Sequence, residues 1–521
     1  MQMGTRISPR DVFARLFRPA TNLHEPRGKS AIVVASNGIE HAVTHVQLEN
    51  ITANAIGQLK EYGVKKGVNV VFYSENAFEF IPALLACWAL QATTTLVDYR
   101  MKRAEVSQLC KKMHTRLLLT SKSHEDLGPD AEWKSETQLD VLHISQLAKS
   151  KDKMLAEQFD VESLDLDSPL LMLFTSGTTG SPKTSLHTLR SLAQNLSDLA
   201  EAAGLEGGMT AVTPLPTSHI FGLSMLLVAQ LVGMKTVLTT LDPISFIKAV
   251  HRHKPDMIAA LPQFYGALLS APDGAIDLTD TKLLLCGGAP PAVSLADKFE
   301  AKFGKRLNNG YGSTESKIVA FNKDGPVLSV GKPVGQVQID IVNERDELLP
   351  EGESGEVRIA ASTMMNGYLN NEEENRKVLR SGHYYTGDFG RIENGYLFVA
   401  GRKSDIVIVG GAVVQAGEIE EALRQNSEVK EIAVTAVSNK RLGQIVKASV
   451  VLMESECANK LKSTDPDERR DAKRELQHRF KAYCKEHLSR YKRPMTWEFF
   501  GPHDDLPKTL AGKVDKKAMR S

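Results

Sequence analysis

Thr175-Ser-Gly-Thr-Thr-Gly-Ser-Pro-Lys183 follows directly on the apolar run Leu170 to Phe174, and its composition decides what kind of chain this is. Small residues let backbone N–H groups crowd together, hydroxyls add donors, and Lys183 adds a compact positive charge. Thr175, Ser176, Gly177, Thr178, Thr179, Gly180 and Lys183 are therefore expected to cradle a polyphosphate. The preceding apolar run predicts a strand, and nucleotide loops of α/β folds sit at strand ends. The spacing is not that of a Walker loop, because Lys183 stands three places after Gly180 with Pro182 before it. Gly, Ser and Pro also gather in ordinary turns, so the loop needs companions elsewhere in the chain.

On either side of the loop, helix-like and strand-like stretches alternate. Leu48 to Tyr62, Val68 to Tyr73 and Phe78 to Leu90 lie upstream; Met209 to Pro214, Thr236 to Thr240, Met257 to Ala260 and Leu283 to Cys286 lie downstream. This rhythm predicts an α/β fold with a largely parallel sheet and helices across it. From about 330 to 400, glycines at short spacing between β-rich runs predict a β subdomain. Gly401-Arg-Lys-Ser-Asp405 is a polar knot between apolar strands and reads as a hinge, which divides the chain into a large N-terminal domain, 1–402, and a small α+β domain, 403–521. Within the latter, the charge-dense segment Glu454 to His487 reads as a solvated loop leading into a surface helix.

At 521 residues the chain exceeds a single hydrophobic core. Its 64 basic and 63 acidic side chains leave a net charge of +1, and nothing in that balance calls for nucleic acid or an anionic membrane as the main partner. Cys87, Cys110, Cys286, Cys457 and Cys484 have no metal-ligand spacing and an odd count, as free thiols in a reducing compartment would. No leader pattern opens the sequence, and no stretch approaches the roughly 18 apolar residues of a membrane span. The expectation is a cytoplasmic protein with no membrane span.

The companions of the loop lie downstream. Asn309-Gly-Tyr-Gly-Ser-Thr-Glu315 offers Gly310, Tyr311 and Gly312, an aromatic ring between glycines that could lie against adenine, followed by the hydroxyl of Thr314 and the carboxylate of Glu315. Mg²⁺ takes one or two carboxylates beside phosphate oxygens, so Glu315 suits it. In Tyr385-Thr-Gly-Asp388 the carboxylate can accept from both ribose hydroxyls, and Arg402 can add a contact there. Pro507-Lys-Thr-Leu-Ala-Gly-Lys513 is a loop that presents a lysine from the small domain.

With these segments in this order, the chain resembles the acyl-adenylate-forming superfamily, closest in pattern to acyl-CoA synthetases and fatty or aryl acid CoA ligases. The resemblance runs through 175–183, 214–222, 310–315, 355–369, 385–388, 401–420 and 507–513. It implies a mobile C-terminal domain and an active site between the domains. A carboxylate would attack the α-phosphate of ATP to give an acyl-AMP and pyrophosphate, and a thiol would then take the acyl group. Lys513, with Thr314 and His219, forms the implied catalytic set. Lys403 and Ser404 would be the hinge, and Gly410 and Gly411 would line the channel for coenzyme A or a carrier protein's phosphopantetheine. Thr184, Ser404 and Ala416 depart from the residues usual in the family.

The segment Pro216 to Phe221 lacks the aspartate with which amino-acid-activating members hold a substrate amine. Pro216-Thr-Ser-His-Ile-Phe-Gly222 instead resembles that of fatty and aryl acid ligases. His219, Phe221 and Gly222 are expected in the acid pocket, with Gln263, Gly266, Gly287, Gly288 and Ala289 as walls. The implied function is a coenzyme A ligase for a medium-chain or aromatic acid. A freestanding enzyme that loads an acyl carrier protein is the alternative, and an inactive nucleotide-binding scaffold or sensor is another from outside catalysis.

Overall fold

The computed structural model describes residues 7–18, 30–36, 39–122, 139–148, 159–175, 183–289, 291–402, 406–409, 412–439, 441–508, 514–516 and 518–519. Two large mixed sheets dominate the first 370 or so positions. In the seven-stranded sheet, Pro169–Thr175, Thr93–Leu96, Asn69–Tyr73, Leu117–Thr120 and Asp140–His143 run parallel, in that spatial order. The nine-stranded sheet has a parallel centre made of Asn308–Ser313, Leu283–Cys286, Met257–Ala260, Thr210–Thr213, Lys235–Thr239 and Ser30–Ser36. Antiparallel strands finish both of its edges.

The strands alternate, and the alternation sorts their side chains into cores. In Asn69–Tyr73, Val70 and Phe72 join the main core while Val71 and Tyr73 join another on the opposite face. In the larger sheet, Ala211, Leu238, Ala259 and Leu285 join the same main core, and Val212, Val237, Ile258 and Leu284 face outward under a second layer of helices. One face of each sheet thus looks onto a shared helical layer, as the two-residue period of a strand requires. The helix Ile220–Val232 lies in that layer and is buried without interruption from Gly222 to Leu231. A helix apolar all round is stable only when covered on every side. The N-terminal helix Pro9–Phe17 plugs the same core, with Phe13 edge-on to Trp88 at 5.9 Å between ring centroids.

After Pro169–Thr175 the next described element is an antiparallel strand, Lys183–Thr188, and not a helix. The helix Leu189–Ala203 begins only after that second strand. Gly367–Tyr368 pairs with Lys183–Thr188 on its other side. The β-rich region forms a five-stranded antiparallel sheet that includes Gln338–Val342, Gly355–Ala360, His383–Glu393 and Tyr396–Arg402.

A fourth sheet follows from Ile406. Ile406–Val409, Ala412–Gln415, Val429–Asn439, Gly443–Leu452 and Thr496–Phe500 build it around a separate core. The charge-dense segment is a short helix, Glu456–Lys460, and a long one, Pro466–His487, whose Ala472, Leu476, Phe480 and Cys484 form a buried edge four residues apart. No helix among the described residues is long and apolar enough to cross a membrane. Phe480 is fully buried against Trp497 and Phe499. Phe480→Ala should therefore destabilise the C-terminal unit by about 3–5 kcal/mol, which urea unfolding followed by tryptophan fluorescence at Trp497 would measure.

Candidate functional site

The segments singled out in the sequence lie just beyond the carboxyl ends of parallel strands. Pro216 to Phe221 follow Thr210–Thr213, Gln263 follows Met257–Ala260, Gly287 follows Leu283–Cys286, and Thr314 follows Asn308–Ser313; Asp98, which follows Thr93–Leu96, joins them. Ligands of open α/β sheets bind in this position, because there the chain leaves the ladder and side chains converge on a crevice.

Tyr311, Asp388 and Arg402 come together. The Tyr311 hydroxyl donates to Asp388 Oδ2 at 2.6 Å, and Arg402 Nε lies 2.9 Å from Oδ1. Strand pairing brings Asp388 opposite Arg402, and the Thr386 hydroxyl accepts from the Asp388 backbone N–H. Burial, then the Asp388 charge, pushes the Tyr311 phenol far above its ordinary value, so it stays a donor. Gly312 sits at a bulge between Asn308–Ser313 and Lys317–Asn322, which re-aims the chain into the turn bearing Thr314 and Glu315.

That turn is tightly held. Ser313 and Ser316 exchange backbone-to-hydroxyl bonds of 3.0 and 3.2 Å, and the Met365 N–H donates to the Glu315 carbonyl. Lys317 closes the turn in the left-handed region, φ 60°, with its ammonium buried against Ser191 Oγ and the Thr363 carbonyl. Burial pulls its pKa down to about 7. The Glu315 carboxylate is buried and accepts from the Tyr368 hydroxyl at 2.8 Å. Among the described residues no group of three or more His, Cys, Asp or Glu could hold a metal. A single carboxylate still fits Mg²⁺ that arrives with nucleotide phosphates, which supply most of its oxygens.

Lys183 meets the Glu374 carboxylate and lies 5.1 Å above the Tyr368 ring. Glu374 stands on the short helix Glu372–Val378, capped by Asn371. His219 Nε2 lies 2.8 Å from Asp98 Oδ2, and Arg100 Nε donates to Asp98 Oδ1 at 2.8 Å. Burial alone would raise the Asp98 carboxyl; the bonds from Arg100 and His219 overcome it and hold the group well below the usual carboxylate range.

Phe221 lies against Gly287, where an added Cβ would come within 2.8 Å of the ring. At Gly222 a Cβ would fall 2.1 Å from the Pro216 carbonyl, so only glycine lets the helix start so close to the preceding segment. Gly310 pairs with Phe321 inside the sheet, Gly288 and Ala289 are exposed, and Gln263 and Gly266 lie on the helix Pro262–Leu269, with open space beside Gly266. Thr175 ends its strand opposite Lys183. Ser176, Gly177, Thr178, Thr179, Gly180, Lys403, Ser404, Gly410, Gly411 and Lys513 lie outside the described residues.

Asp98, Arg100, Tyr368 and Glu374 were not singled out in the sequence. The position of Asp98, two residues past a predictable strand end, was the available signal for it. Glu374 is 191 positions from Lys183, and nothing local marks it.

Residues 20–369 match the family model of the AMP-binding enzyme, and residues 418–513 match that of the AMP-binding enzyme C-terminal domain. The chain belongs to the AMP-binding enzyme family. Among its relatives is a 2-succinylbenzoate–CoA ligase of Bacillus licheniformis, 29% identical over 91% of this chain and 94% of the relative. A long-chain-fatty-acid–CoA ligase of Bacillus subtilis is 31% identical over 72% of this chain and 66% of the relative. The solved o-succinylbenzoate CoA synthetase from Bacillus subtilis, bound to its acyl-adenylate intermediate, shares the fold with a TM-score of 0.82 at 24% identity, covering 97% of this chain and 98% of that one. The adenylate-forming fold expected from the sequence is thus the fold observed.

For this AMP-binding enzyme the Lys183–Glu374 pair has a measurable consequence. Glu374 neutralises the Lys183 cation, which the sequence reading assigns to phosphate. Glu374→Gln keeps the shape and removes the countercharge, so titration calorimetry should show MgATP binding tightened by about 1 kcal/mol, roughly fivefold in Kd. Weaker binding would assign Glu374 to the support of Lys183 and not to competition with phosphate.

Proposed function

We propose that this enzyme activates an aryl-bearing carboxylic acid as its acyl-AMP and transfers the acyl group to coenzyme A. The observation that carries the reading is the convergence of Tyr311, Asp388 and Arg402 with the buried Glu315 at the carboxyl ends of the parallel strands. In this reading Tyr311 lies along adenine, and Asp388 exchanges its present contacts for the ribose hydroxyls. Lys183 and the loop before it hold the phosphates that depart, and Glu315 holds Mg²⁺. Two anions must meet when a carboxylate attacks a phosphate, so fixed donors and cations are what the reaction needs. The metal supplies charge neutralisation on the phosphate oxygens.

The first step forms a bond from the acid's carboxylate oxygen to the α-phosphorus and breaks the bond to pyrophosphate. The second forms the thioester and releases AMP. Lys513 would serve the first step from the unit 403–521, which turns about Lys403 and Ser404 to bring Gly410 and Gly411 to the thiol. Relatives named for 2-succinylbenzoate and feruloyl substrates favour an aromatic acid over a medium-chain one, and the flat wall of Phe221 on Gly287 agrees with that preference. A panel of aryl, medium-chain and long-chain acids, assayed for acid-dependent pyrophosphate release and then for thioester with coenzyme A or a carrier protein, tests the reading. Pyrophosphate release with fatty acids alone would overturn the aryl assignment. Thioester formed only on a carrier protein would overturn the acceptor.

Lys513→Ala should lower ATP–pyrophosphate exchange about 100- to 1000-fold, the usual cost of removing a preorganised electrostatic group. Acyl transfer from supplied acyl-AMP should fall far less.

A further inference from the structure

Asp98 and His219 belong to different sheets. One follows a strand of the seven-stranded sheet and the other follows a strand of the nine-stranded sheet, and they meet across 121 positions. Asp98 is buried, whereas the His219 side chain keeps 38% exposure. The backbone N–H and Nε of Arg100 fill Asp98 Oδ1 at 2.9 and 2.8 Å. Oδ2 takes His219 and the outer guanidinium nitrogen of Arg100. The segment leading into His219 is pinned as well: Asn76 accepts from the Thr217 N–H and donates to the Leu215 and Thr239 carbonyls, each at 3.0 Å.

An ionised carboxylate only accepts, so the ring nitrogen that faces it must carry a hydrogen. Nε2–H is thereby fixed. Nδ1 is left for a ligand, since no described residue bonds to it. A ring with hydrogens on both nitrogens bridges two carboxylates.

We infer that Asp98, braced by Arg100, is a positioning residue that sets the His219 ring so that Nδ1–H donates to the carboxylate of the acid substrate. The inference deepens the acid-activation reading and rests on it. It adds a specificity element for the anionic end of the acid, supplied from the opposite sheet.

The test is a double-mutant cycle of Asp98→Asn and His219→Ala in the full chain, read by acid-dependent pyrophosphate release. Asp98→Asn should raise KM for the acid about 10-fold, leave KM for ATP within about twofold, and add almost nothing in the His219→Ala background. Arg100→Gln, which leaves the carboxylate unbraced, should shift the acid KM in the same direction. Equal changes in the KM of acid and of ATP, or full additivity with His219→Ala, would overturn the inference in favour of a general structural role. Nitrogen-15 shifts of the His219 ring, assigned by their loss in His219→Ala, separate this from the activity itself. With the acid bound, wild type should show hydrogens on both ring nitrogens, and Asp98→Asn should lose that state; an unchanged pattern would refute the positioning role. A wild-type protein that releases no pyrophosphate with any acid would instead defeat the acid-activation reading.

Discussion

The structure depends on the burial of one helix around its whole circumference. Ile220–Val232 has no face for water, so both large sheets must close on the layer that contains it. That closure sets the spacing between the sheets and hence the distance between their strand ends. Asp98, just past a strand of one sheet, there meets His219, just past a strand of the other. Gly222 sharpens the constraint, since its lack of a Cβ lets the helix begin against the Pro216 carbonyl. Polar groups at the crevice are then arranged by the packing beneath them.

Hydrophobic periodicity carried most of the architecture into the sequence. Val68 to Tyr73 and Leu283 to Cys286 were legible as strands because both faces of a parallel strand are apolar. The segment 454–487 was legible as a loop leading into a surface helix, but the short helix Glu456–Lys460 was not, and the long helix's buried edge is diluted: Ala472, Leu476, Phe480 and Cys484 stand four apart among charges, and their spacing matters only once a sheet lies beneath them. The strand before the run 175–183 was legible, but the antiparallel strand after it was not, because Lys183 to Thr188 has no apolar stripe of its own.

The crevice was legible where chemistry is local and opaque where it is not. Tyr311 and Glu315 sit in one short motif, and Asp388 in another. The partners of Lys183 and His219 are supplied by chain closure over more than a hundred positions. A glutamate in Glu372-Glu-Glu374 looks like any solvated acid until the fold brings a cation to it. Lys317 is the sharpest case: by composition a surface residue, it is fully enclosed, because a left-handed turn residue with a long side chain can tie the Glu315 turn to Ser191 and Thr363.

Glu374 and Asp388 are close neighbours in the chain. Between the helix Glu372–Val378 and the strand His383–Glu393 the chain turns back on itself, Leu379 pairing antiparallel with Tyr384 and Arg380 with His383. The acid that engages Lys183 and the acid proposed for the ribose therefore stand on either side of one tight reversal. The strand His383–Glu393 pairs in turn with Tyr396–Arg402, so both acids and Arg402 are carried by a single run of chain, 372–402, held by antiparallel ladders.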